Sequence, residues 1–74
     1  MNARIGQNIA RLRKARGMSQ AELARHLGVD QTMVSKYERG QRRIYVDALE
    51  TIAQALGVPT MDLYQGPAAE RQAA

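Results

Sequence analysis

Five polar side chains share one arc of a helix near the middle of this chain: Gln31, Thr32, Ser35, Lys36 and Arg39. At about 100° per residue, setting Gln31 at 0° puts Ser35 at roughly 40°, Arg39 at roughly 80°, Thr32 near 100° and Lys36 near 140°. Met33, Val34 and Tyr37 take the opposite side, so one face is free to pack while the other stays open. Glutamine, threonine, serine, lysine and arginine are the types that hydrogen-bond base edges and phosphate oxygens. An ordinary solvated helix face is the plainer reading of ten such residues. The scarcity of carboxylates on the arc argues against it.

Other chemistries find little support. The chain has no cysteine, which excludes disulfide staples and thiolate metal sites. His26 is a lone histidine on a helix beside Arg25, without the carboxylate cluster that catalysis or metal binding needs. No glycine-rich phosphate loop of the Walker or dinucleotide type is present. The expectation is therefore no enzyme, no metal and no cofactor. No run of about 18 apolar residues exists, so no membrane span is expected. The N-terminal stretch carries charges every few residues and lacks the apolar block of a signal peptide. A cytoplasmic location is expected.

The elements that must position the arc have their own markers. Ser19 with Glu22 forms a capping box in which each side chain can satisfy a backbone N–H of the other. Leu23, Ala24 and Leu27 follow at helical spacing, and Gly28 sits where that helix should stop. Val29 can pack inward across the turn, Asp30 is a good N-cap for the next helix, and Gly40 ends it. The pattern over 19–40 is helix, tight turn, helix, an arrangement whose second helix can enter a DNA major groove.

Around this centre, residues 4–16 are expected to form a first helix with Ile5, Ile9 and Leu12 as a narrow apolar stripe. Arg13 lies at the stripe's edge, where its stem can pack while its head seeks an anion. Met18 leads into the Ser19 cap as a hydrophobic staple. A fourth helix at about 46–56 carries Leu49, Ile52, Ala53 and Leu56 at the i, i+3, i+4, i+7 spacing, closed by Gly57 and Pro59. A last short helix around Thr60–Tyr64 should return Leu63 to the core. The domain is placed at 1–64, with 65–74 read as a short frayed tail. That tail leaves no space for a separate ligand domain, so regulation through protein concentration is expected.

Charge is distributed unevenly. Residues 1–46 hold ten Lys and Arg against three acids, a net +7, whereas residues 47–74 carry −3. The basic excess falls on the part that holds the helix-turn-helix pattern, as a surface facing a polyanion requires.

In combination these motifs resemble the lambda-repressor-like, or Xre/Cro, helix-turn-helix family. They are Ile9-x-x-Leu12-Arg13, Gly17-Met18-Ser19-Gln20-x-Glu22-Leu23-Ala24, Leu27-Gly28-Val29, Val34-Ser35-x-Tyr37-Glu38-x-Gly40 and Ile52-Ala53-x-Ala55-Leu56-Gly57-Val58. The resemblance covers about residues 5–64 and implies an all-α, compact bundle of five short helices. It also implies a transcriptional regulator, with repression favoured over activation, that binds palindromic double-stranded DNA as a homodimer. The recognition helix would be about 30–39. Gln31, Thr32 and Lys36, with Ser35, match base-contacting positions. Ser19, Gln20, Arg39, Arg42 and Arg43 match positions on the phosphate backbone, and Gln20 also steadies the base-reading glutamine. Arg13 and Glu38 match a structural ion pair joining helix 1 to the end of helix 3.

The chain departs from the family pattern before helix 4, where Ile44-Tyr45 replaces the usual Pro followed by Ser or Thr. The ordinary N-cap is thereby lost, unless Asp47 caps one turn later. Ile44 and Tyr45 are expected to add exposed apolar surface and are dimer-contact candidates, with local packing under the loop as the alternative. Asp30 is expected to cap rather than to touch DNA. A second reading is an antitoxin-type or adaptor module of the same fold, whose main partner is a cognate protein.

Overall fold

The computed structural model describes residues 2–67, and all its regular elements are α-helices: α1 (Asn2–Ala15), α2 (Gln20–Leu27), α3 (Gln31–Glu38), α4 (Val46–Leu56) and α5 (Thr60–Gln65). The helices pack as α1 on α3 and α5, α2 on α3 and α4, and α4 on α5. Each contributes its apolar stripe to one core. Ile9, Leu23, Val34, Ile52, Leu56 and Leu63 are its most fully buried large side chains. These are the positions that the helical spacing marks, so the hydrophobic pattern and the packing agree.

Local chemistry explains the boundaries of the central pair. Ser19 accepts from the Glu22 N–H at 3.0 Å, and Glu22 returns the bond from the Ser19 backbone N–H at 3.0 Å. Gly28 stops α2 at φ +71°, in the left-handed region that side chains with a Cβ avoid. Its N–H and that of Val29 close back on Arg25 and Ala24 carbonyls. Asp30 then caps α3 by accepting from the Met33 N–H at 2.9 Å. The turn is thus set by three residues between two capped helices.

α4 and α5 begin differently. Tyr45 and Pro59 stand at their N-cap positions, and neither helix start has a side-chain cap. Asp47 does not replace the missing cap. Ile44 requires a correction: it is only 8% exposed and belongs to the core, whereas its neighbour Tyr45 is 68% exposed. The loop turns one side chain down and the other out, so the exposed-surface expectation holds for Tyr45 alone.

α1 starts two residues before the expected position, and α5 runs through Gln65, one residue beyond the domain boundary read from sequence. Gly66 is buried as well, beneath Asn8, whose Nδ2 donates to the Leu63 carbonyl at 2.8 Å. The rest of the expected tail, 68–74, lies outside the described residues.

Candidate nucleic-acid interface

The polar arc of α3 emerges as an open surface. Gln31, Thr32, Lys36 and Arg39 are exposed and Ser35 is half-buried, while Val34 on the opposite side is fully enclosed. Gln20, Gln31, Thr32, Ser35 and Arg39 line one shallow, mainly polar depression of about 310 Å³. Lys36 stands outside that depression, on the same helix. Arg39 folds back so that its Nε donates to the Ser35 carbonyl at 3.3 Å. Its remaining guanidinium N–H groups can serve an anion.

Behind this surface runs a hydrogen-bonded chain. Arg13 forms a two-pronged pair with Glu38, Nε to Oε2 at 2.6 Å and Nη2 to Oε1 at 3.1 Å. The two side chains are 9% and 7% exposed, so the pair is nearly out of water. Arg13 Nη1 also donates to the Met18 carbonyl at 2.8 Å, which ties the pair to the residue before the α2 cap. Glu38 Oε1 accepts a further bond from Gln20 Nε2 at 2.9 Å, and Gln20 Oε1 lies 3.5 Å from Gln31 Nε2. A buried ion pair, the first residue of α2 and the first residue of α3 are thereby joined in series. Burying such a pair is tolerable because its donors and acceptors are well satisfied; losing one partner would strand a charge.

Close approach of α1 makes this possible. A Cβ on Gly6 would collide with the Tyr37 carbonyl oxygen and stand 2.7 Å from that of Glu38. Only a glycine lets the α1 backbone pass so near the end of α3, at some cost in helix propensity. A glycine inside a helix gives no sequence signal of the surface it will meet. The Gln20–Glu38 bond is equally unmarked, since 18 residues separate the partners.

The remaining candidates are spread more widely. Ser19 is committed to its cap: its backbone N–H donates to the Glu22 carboxylate, and its hydroxyl oxygen accepts from the Glu22 N–H. Bonds from the Ser19 backbone and hydroxyl groups hold the Glu22 carboxyl below its ordinary pKa. Arg42 and Arg43 are exposed on the loop after α3, but Arg43 borders a second groove of about 510 Å³ with Ile5, Ile44, Tyr45, Leu49 and Tyr64. The structure therefore groups Arg43 with the apolar edge and not with the depression. Among the described residues no cluster of three or more His, Cys, Asp or Glu could hold a metal ion, and no helix is long and apolar enough to cross a membrane.

This geometry, a capped helix pair presenting a polar helix face beside basic side chains, defines a DNA-binding helix-turn-helix transcriptional regulator. The chain belongs to the HTH_3 helix-turn-helix family, whose profile matches residues 9–63. It is 41% identical over 63 residues to the uncharacterized HTH-type transcriptional regulator y4dJ of Sinorhizobium fredii, covering 85% of this chain and 82% of that one. Of some further curated relatives it spans between 37% and 63% of the length. Among solved structures it resembles the hypothetical transcription factor NHTF from Neisseria, with a TM-score of 0.83 and 39% identity over 96% of this chain and 80% of that one. It also resembles the restriction-modification controller protein C.AhdI from Aeromonas hydrophila, with a TM-score of 0.79 and 36% identity over 82% of this chain and 92% of that one. The family is one of regulators and not of enzymes.

Proposed function

We propose that this regulator reads palindromic operator DNA as a homodimer, with α3 of each copy in a major groove, and acts as a repressor where its operator overlaps a promoter. The observation that carries the reading is the depression shared by Gln20, Gln31, Thr32, Ser35 and Arg39, with Lys36 beside it on the same helix. Gln31, Thr32, Ser35 and Lys36 contact bases in this reading. Gln31 suits the adenine N6/N7 edge and Lys36 the guanine O6/N7 edge. Ser19, Gln20, Arg39, Arg42 and Arg43 contact phosphates, which supply most of the affinity through counterion release. A cytoplasmic location goes with this reading.

The dimer contact is assigned to the edge where Tyr45 and Val46 are 68% and 62% exposed next to Tyr64 and the groove over Ile44. A second copy is the occupant that fits, since a single short recognition helix reads only a few base pairs and two-fold pairing doubles the site. Ile44 supports this edge from below and is not itself the contact. Selection of bound sequences from a random duplex pool at roughly physiological salt tests the whole reading. The expected result is a palindrome with half-site centres about 34 Å apart, one helical turn. Binding at low salt without any enriched sequence would reduce the basic surface to a non-specific phosphate binder and favour a protein partner.

A further inference from the structure

We propose that Glu38, through Gln20, sets which end of the Gln31 amide faces the base edges, and so acts as a positioning residue for base choice. This rests on the reading of Gln31 as a base contact. The direction of the hydrogen-bonded chain is dictated at its buried end. Arg13 has only donors, and its two bonds to Glu38 at 2.6 and 3.1 Å require acceptors there. An ionised carboxylate also has only acceptors, so Gln20 can meet Glu38 Oε1 only with its NH₂ group, as it does at 2.9 Å. The Gln20 carbonyl oxygen is then turned towards Gln31, and Gln31 must answer with its own NH₂ group, 3.5 Å away. At that length the final link biases the amide without locking it.

The outcome at the surface is specific. Gln31 spends one N–H on Gln20 and keeps its oxygen and its second N–H for DNA. An acceptor beside a donor matches adenine, which offers the N6 amino group and N7, and opposes guanine, whose N7 and O6 are both acceptors. Replacing Glu38 by glutamine keeps the shape but admits a donor into the chain. The new amide can no longer serve all three donors: with its oxygen on Arg13 Nε its NH₂ group meets Arg13 Nη2 and Gln20, and with its oxygen in the place of Oε1 its NH₂ group meets Arg13 Nε. In the first arrangement Gln20 turns over and offers NH₂ to Gln31. Gln31 answers with its oxygen, leaving two N–H groups outward, the pattern that guanine accepts.

The test measures relative affinity for operator duplexes carrying adenine or guanine at the base pair where Gln31→Ala abolishes preference. The parent protein is expected to favour adenine about tenfold. Gln20→Ala, which leaves the Arg13–Glu38 pair in place, should cut that ratio to about threefold or less, with a melting temperature close to the parent's. Glu38→Gln, which lets the reversed arrangement form, should lower the adenine preference; if it fails to fold, Glu38→Asp, which keeps a carboxylate for Arg13 but draws it back from Gln20, should lower it instead. An adenine preference unchanged in Gln20→Ala, or unchanged in the folded Glu38 variant, overturns the proposal while leaving Gln31 as the base reader. If Gln31→Ala alters preference at no position, the base-reading assignment itself fails, and the proposal falls with it.

Discussion

Residues 19–40 and residues 44–66 are both helix–turn–helix in outline, yet they are specified by different means. In the first segment each helix start has a side-chain cap, from Ser19 and from Asp30, and few residues are fully buried. In the second, α4 and α5 start without caps, while Leu49, Ile52, Ala53, Leu56 and Leu63 are all buried. One segment is shaped by local hydrogen bonds and keeps its polar face for a partner. The other is held by burial, and its outward surface is apolar at Tyr45 and Val46 and acidic in balance. A recognition surface needs side chains free of the core, so its backbone must be fixed from within the segment and from behind. The Arg13–Glu38 pair supplies the fixing from behind.

The largest effects should come from the two buried anchors. Glu38→Ala leaves Arg13 buried without its carboxylate and is expected to cost about 3–5 kcal/mol in chemical denaturation. Leu56→Ala in the burial-held segment should cost about 2–5 kcal/mol by cavity formation. A loss under about 1 kcal/mol at Glu38 with a full loss at Leu56 would mean that burial alone sets the fold. Next is Ser19→Ala, at about 1 kcal/mol, the ordinary worth of an N-cap. The capping box also has a pH signature. Glu22 has its folded pKa lowered, so its contribution is present above the unfolded pKa and is lost as pH falls through the folded value. In Ser19→Ala the acid limb of the stability profile should be shallower, as thermal melts across the acidic range will show.

The comparison sharpens at Tyr45. Tyr45→Ser supplies α4 with the cap it lacks and should raise monomer stability by up to about 1 kcal/mol. The same change removes exposed apolar surface from the proposed dimer edge, so sedimentation should show weaker self-association. Stabilisation with unchanged self-association would move the dimer contact elsewhere. The smallest effect is expected at Arg42, where alanine should weaken all duplexes alike and lower the salt slope by about 1.

Most of the fold was legible because helix boundaries here are written in neighbouring residues. Ser19 with Glu22, Gly28, Asp30 and Gly57 act within a turn of their own positions, and the stripes of α1 and α4 follow a period of 3.6. The burial of Ile44 beside the exposed Tyr45 is not legible, because alternate residues of a loop can point in or out with no period to decide. Gly6 and Asn8 carry no sequence signal for a related reason: their partners, at Tyr37 and Leu63, are distant in sequence. The polar arc of the candidate site follows from the helical period of α3. The chain from Glu38 through Gln20 to Gln31 depends on how α1, α2 and α3 meet, which periodicity does not encode.

The central claim is that α3 reads sequence while the arginines hold the backbone. It is tested most directly by measuring Lys36→Ala and Arg42→Ala side by side on the selected operator, its single-base variants and random duplex. Lys36→Ala should lose about 1–3 kcal/mol of discrimination at one base pair per half-site while binding to random duplex changes much less. Arg42→Ala should lower affinity evenly across every duplex. If Lys36→Ala also weakens operator and random DNA equally, with the base preferences of the parent intact, α3 is not the reading helix and the account is wrong.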